Sequence, residues 1–158
     1  MSLWKKHQAD SALFDSDQRI ETWLKQRQDL HGQYFRILKL KPFDDEGEHI
    51  DPNLLSSFCD NLVDYISAGH FEIFECLSVS HKAQQEFAKH KTLLEDVSAS
   101  VLKFAKKYSQ GGPYDTDELK SSMSTLGEKL FALRMGIEDR LINCYLSETA
   151  EPTRIKMR

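Results

Sequence analysis

Residues 87–108 read FAKHKTLLEDVSASVLKFAKKY, and the spacing of their side chains decides the fold class. Phe87, His90, Leu94, Val97, Val101, Phe104 and Tyr108 recur at alternating intervals of three and four residues, sustained over three heptads. That spacing lines one face of an α-helix, which turns by about 100° per residue. A strand would instead alternate every second residue, and no part of the chain does so.

The same periodicity holds on either side. Ile20, Trp23, Leu24, Tyr34 and Leu38 form an apolar stripe in a first segment. Leu55, Phe58, Leu62, Ile66, Ile73 and Leu77 form one in a second, and Leu119, Met123, Leu126, Leu130, Leu133, Ile137 and Leu141 one in a fourth. Lys41-Pro42 closes the first segment and the Asp44–Gly47 stretch follows as a loop. Asp51-Pro52 opens the second with an N-cap acid and a proline at the first helical position. Ser78 to Ser80 marks a further break, and Gly111-Gly112-Pro113 ends the third segment. Asp115 with Glu118 three residues on forms a capping box for the fourth. Long helices joined by short connections pack as antiparallel neighbours. The expected fold is therefore all-α, a four-helix bundle in one domain over residues 17–148. Residues 1–16 would be an N-terminal arm or short helix, and residues 149–158 a flexible tail.

Composition narrows the function. The chain has 158 residues, enough for one domain. Its 25 acidic and 21 basic side chains give a net charge of −4, which argues against direct nucleic acid binding and suits a basic partner. Cys59, Cys76 and Cys144 are an odd, scattered set without metal-ligand spacing, as expected for reduced thiols. The start lacks the apolar run of a signal peptide, and no stretch reaches a membrane-spanning length, so a cytoplasmic protein is expected. No phosphate-binding glycine loop is present, nor the Glu-x-x-His pairs of a di-metal carboxylate bundle. No cofactor, metal or catalytic residue is expected.

Two features exceed a plain core stripe. On helix two, Asp60, Asp64, Ser67, Phe71 and Glu75 project opposite the stripe, with Phe74 at the edge. An aromatic set in an acidic rim is the make-up of a protein-docking patch, unless helix one or a loop covers Phe71. Helix four has a second apolar set, Phe131, Met135, Ile142 and Leu146, buried on both sides or left for docking. The second feature is polarity inside the stripes: Arg27 and His31 share a face with Trp23, and His70 and His90 lie on or beside core faces. A buried Arg27 needs an acid such as Asp64, Glu138 or Asp139. Arg27, His31, His70, Glu138 and Asp139 form a candidate polar core network. An alternative function follows from it, a sensor or enzyme holding a small ligand among Arg27, His31, His70 and Glu138.

The segment Leu62-Val63-Asp64-Tyr65-Ile66-Ser67-Ala68-Gly69-His70-Phe71 resembles the signature helix of the Rsd/AlgQ family of anti-sigma factors. Phe58-Cys59 before it and Glu75 after it fit too. Trp23-Leu24, Arg27, Leu30, Tyr34, Lys41-Pro42 and the Glu138-Asp139-x-Leu141-Ile142 segment support the resemblance. Residues 80–115 resemble the family only in being helical. The resemblance implies a bacterial protein, not an enzyme, that binds the fourth region of the primary RNA polymerase sigma factor. It would occlude that region from polymerase core and promoter DNA, and be a monomer when free.

Overall fold

The computed structural model describes residues 3–39, 50–110 and 112–149, with nothing said of the side chains of 3–10 and 39. Helix α1 spans Leu3–Lys39. Helix α2 covers 52–77, as α-helical Pro52–Ala68, a π-helical turn Gly69–Ile73 and a last α-turn Phe74–Leu77. Helix α3 is His81–Tyr108. Helix α4 covers 116–149, with a π-helical turn Gly127–Arg134 between Thr116–Leu126 and Met135–Thr149. The all-α expectation holds: no strand occurs among the described residues.

Cross-helix contacts make every neighbouring pair antiparallel. Gln33 of α1 meets Ser57 and Asn61 of α2, whereas Trp23 meets Tyr65. Phe58 of α2 packs on Phe104 of α3, and Phe74 on Phe87. Lys129 of α4 lies by Ser100, and Glu148 by His81. Tyr34 of α1 reaches Met123 of α4, and Asp17 reaches Tyr145. The result is an up-down-up-down bundle.

The helix starts follow the capping chemistry. Asp51 accepts from the Asn53 N–H with Pro52 in the first turn, and Ser80 accepts from the Ala83 N–H. Asp115 accepts from Asp117 and Glu118 N–H groups, but the Glu118 side chain bonds to Lys107 of α3 instead of closing the box. The start of α3 is also held from α4: the Glu148 carboxylate accepts from the His81 and Lys82 N–H groups at 2.9 and 3.0 Å.

Three expectations change here. Helix α1 begins at Leu3 and runs unbroken through the stretch read as an arm or a short separate helix, since no Gly or Pro interrupts it before Gly32. Leu38 and Leu133, placed in core stripes, are 39% and 43% exposed. His90 is half-buried and lies 3.3 Å from Glu86, one turn earlier on its own helix. The Lys41-Pro42 stop, the Asp44–Gly47 loop, Gly111 and the tail from residue 150 onward lie outside the described residues.

The π turns share one construction. The Tyr65 carbonyl accepts from the Gly69 N–H and also from the Trp23 indole N–H of α1, at 3.1 Å. The Met123 carbonyl accepts from the Gly127 N–H and also from the Tyr34 hydroxyl of α1, at 2.9 Å. Each wide turn thus begins at a glycine whose helical acceptor carbonyl also takes a second hydrogen bond from an α1 aromatic. Each begins with a glycine because the aromatic occupies the place of a side chain. A Cβ on Gly69 would sit 2.9 Å from the Trp23 ring, and one on Gly127 would collide with the Tyr34 hydroxyl. Trp23 cannot retreat, being stacked on Tyr65 with centroids 4.7 Å apart.

Gly69→Ala and Gly127→Ala should therefore lower stability in urea denaturation. Overpacking costs about 1–3 kcal/mol, more than the ~1 kcal/mol that alanine gains in helix propensity. Gly32→Ala and Gly136→Ala, where a Cβ meets nothing within 4 Å, should be neutral or stabilising by up to ~1 kcal/mol. Equal effects at all four positions would refute this account of the π turns.

The Glu148 cap makes stability depend on acid. The Lys82 N–H bond, against a smaller opposing effect of burial and with help from His81, holds its carboxyl below the ordinary 4.5. A lowered folded value contributes stability that is present above the unfolded pKa and lost as pH falls through the folded one. The Tm difference between wild type and Glu148→Gln should be largest above pH 4.5 and shrink on acidification.

Candidate functional site

Glu138 has no solvent exposure, and three helices supply its partners. Arg27 of α1 donates to Oε1 at 3.2 Å, and the Tyr65 hydroxyl of α2 donates to the same oxygen. Arg134 of α4 donates through Nε to Oε2 at 2.8 Å. Of the other guanidinium nitrogens, Arg27 Nε donates to the Tyr65 hydroxyl at 3.3 Å and Nη1 to Asp139 at 2.5 Å, Arg134 Nη1 binds Ser98 and the Leu94 carbonyl on α3, and Arg134 Nη2 is buried without a hydrogen-bond partner. Arg27 and Arg134 also lie 5.8 and 5.7 Å from the ring centroids of Trp23 and Phe74. Burial acts to lower the Arg27 pKa, but Tyr65, Glu138 and Asp139 more than offset it, and the guanidinium stays charged. Burial, reinforced by Glu138, pushes the Tyr65 phenol well above its usual value, so it remains a neutral donor.

Of the predicted network, Arg27, Glu138 and Asp139 come together. His31 stands beside it, edge-on to Phe131 at 4.3 Å, with burial and then Arg27 lowering its pKa. His70 does not join: it is exposed on the outer surface, its ring against Phe71 at 4.9 Å. Asp64 is also exposed, so Arg27 takes Glu138 and Asp139 as partners. Arg134 and Tyr65 are the members that sequence reasoning missed. Arg134 was hidden because the π turn inserts extra residues per turn. It rotates Leu133 outward and brings Arg134 to the core. With His70 outside, and with Arg27 and Glu138 engaged by each other and by Asp139, Tyr65 and Arg134, the four residues of the small-ligand alternative do not form one pocket.

The outer face of α2 carries the remaining candidates. Asp60, Asp64 and Glu75 are exposed, Ser67 is half-exposed, and Phe71 is 71% exposed, uncovered by helix or loop among the described residues. Phe74 departs from the projection. It turns inward beneath this face, 6.3 Å from the Trp23 ring and 5.1 Å from Phe87. The cause is the same as at Leu133, a phase shift across the π turn. Phe74 also lines an apolar socket of about 240 Å³ with Leu77, Ala83, Phe87 and Leu141. On helix four, Met135 and Ile142 are buried and Phe131 and Leu146 partly so, which makes the second apolar set core packing.

All three cysteines are free, and burial, then Asp60, pushes the Cys59 thiol up to about 12. Among the described residues no group of three or more His, Cys, Asp or Glu is arranged to hold a metal ion. No helix there is long and apolar enough to cross a membrane.

Breaking a buried ion pair leaves an uncompensated charge and costs about 3–5 kcal/mol. Glu138→Gln should lose that much in urea denaturation, since two guanidiniums depend on it. Asp139→Asn, whose side chain is 38% exposed, should lose about 1 kcal/mol or less. Equal losses would contradict the assignment of Glu138 as the centre of the network.

The signature segment on α2 and the Glu138-Asp139 segment on α4 are thus one constellation, facing each other across the core. A family model described as "Regulator of RNA polymerase sigma(70) subunit, Rsd/AlgQ" matches residues 2–145. Proteins named Regulator of sigma D from Salmonella paratyphi B and Salmonella arizonae are each 31% identical to this chain, over 157 and 149 residues. In both cases the match covers 89% of this chain and 90% of the relative. No solved structure matches significantly. The chain belongs to the Rsd/AlgQ family of regulators of the RNA polymerase sigma(70) subunit.

Proposed function

We propose that this protein is a cytoplasmic anti-sigma factor that binds the fourth region of the primary sigma factor through the outer face of α2. The observation that carries the reading is Phe71, 71% exposed on a helix that also exposes Asp60, Asp64 and Glu75. A large aromatic side chain left in water within a charged rim has the composition of an interface hot spot. The acidic rim complements a partner whose own surface is basic because it contacts DNA, and long-range attraction then speeds and orients encounter. Occupying that surface is sufficient for regulation. The sigma region cannot contact promoter DNA or polymerase core while its basic face lies against α2, so no bond is made or broken.

In this reading Asp60, Asp64, Ser67, Phe71 and Glu75 touch the partner. Phe74 supports the backbone beneath them and lines the adjoining socket. The free protein is a monomer that presents this face to solvent.

The test is calorimetric titration of the purified protein with the primary sigma factor of the same cell. Phe71→Ala should weaken binding by about 2 kcal/mol or more, as for a hot-spot aromatic. Asp64→Ala should weaken it less and reduce its salt dependence. Neither variant should lose thermal stability, because both side chains lie outside the core. Undiminished binding in both would overturn the placement, and absence of wild-type binding at low salt would overturn the function.

A further inference from the structure

The flank between α3 and α4 takes no part in the face proposed for sigma. Along it runs a groove of about 340 Å³, within the range of pockets that take small molecules. Its polar lining includes Lys103 and Lys107 on α3, Lys129 on α4, and the hydroxyls of Ser121, Ser122 and Thr125, with Ser100 and Tyr108 beside them. Three ammonium groups gather here on a chain whose net charge is −4. Lys107 is bonded to Glu118. Lys129 reaches across to the Ser100 hydroxyl at 3.3 Å, and neither it nor Lys103 has a carboxylate partner among the described residues.

Two ordinary explanations leave part of this pattern over. Lysines in the last turn of a helix complement its dipole, which accounts for Lys106 and Lys107 on α3 but not for Lys103 or Lys129. The hydroxyl run Ser121, Ser122, Ser124 and Thr125 lies inside α4, where serine and threonine are poorer helix formers than alanine. It supplies no cap, since Asp115 caps that helix, and within it only Met123 is buried. Hydroxyl donors beside ammonium groups suit an anion that has several acceptor oxygens.

We propose that this groove binds a small phosphorylated metabolite bearing at least two phosphate groups. The phosphates lie among Lys103, Lys107 and Lys129, and the α4 hydroxyls donate to phosphate or sugar oxygens. Because the groove and the Phe71 face lie on different helices, both can be occupied together.

The experiment is an amide-shift NMR titration of the full chain with inorganic tripolyphosphate, with sulfate and a short DNA duplex as parallel arms. Saturable shifts confined to residues 100–108 and 121–129 are expected. The double variant Lys103→Gln/Lys129→Gln should bind tripolyphosphate about tenfold more weakly or worse, with an unchanged Tm. Absence of saturation, shifts centred elsewhere, or equal affinity in the double variant would overturn the proposal. Sulfate binding as tightly as tripolyphosphate would reduce the groove to a general anion surface and also refute it. DNA binding more tightly at the same residues would assign the surface to nucleic acid instead.

Discussion

One carboxylate holds the four helices in register. Glu138 of α4 is fully buried and accepts from Arg27 of α1, Tyr65 of α2 and Arg134 of α4, and Arg134 extends the network to Ser98 of α3. A buried ion network is weak evidence for stability, because desolvation consumes much of the attraction. Its effect is to discriminate between packings. Slide α1 against α4 by one turn and Arg27 loses Glu138 and Asp139 together, leaving charges in the core that cost several kcal/mol. An apolar seam alone would tolerate such a slip far better, since leucine and isoleucine stripes match in several registers.

The network sits where it does because two π turns redirect side chains toward it. Past Gly127 the inward positions move from the Leu133 row to Arg134 and Glu138. Past Gly69 they take in Phe74, whose ring lies under the Arg134 guanidinium. The turns are in turn fixed by α1, through the Trp23 and Tyr34 bonds to the Tyr65 and Met123 carbonyls. Helix α1 therefore acts as a template: its aromatics, three helical turns apart, set the two places where the neighbouring helices depart from regular winding.

Much of this was readable in the sequence where regular periodicity applied. The caps at Asp51 and Asp115, the break before Ser80 and the stripe Leu94, Val97, Val101, Phe104 and Tyr108 followed from local rules that hold regardless of tertiary context. So did the need of Arg27 for an acid, with Glu138 and Asp139 among the candidates. Apart from Tyr65 and the two ends of α1, what was not readable lies at or beyond a π turn. Leu133, Arg134, His70 and Phe74 were all misassigned or missed by a projection that assumes 100° per residue. The one visible signal was a glycine inside a stretch of helical spacing, at Gly69 and again at Gly127. A glycine says that room is needed, not that the helix widens there. Leu38 is a different kind of miss, a stripe continued to the end of α1 where it is left partly exposed.

The segment around Gly69 shows why one short motif can serve two surfaces. A π turn widens the helix, and a side chain carried on the outward bulge stands further from its neighbours than on an α-helix. Phe71 occupies that position, while Gly69 on the opposite side admits Trp23. The same widening thus presents the aromatic outward and receives the indole inward, where it adds a second hydrogen bond to the Tyr65 carbonyl. The inner side constrains folding and the outer side is free of the core. Substitutions of Phe71 therefore leave the network undisturbed, whereas any side chain at position 69 must first displace Trp23 from Tyr65 and, with it, one wall around Arg27.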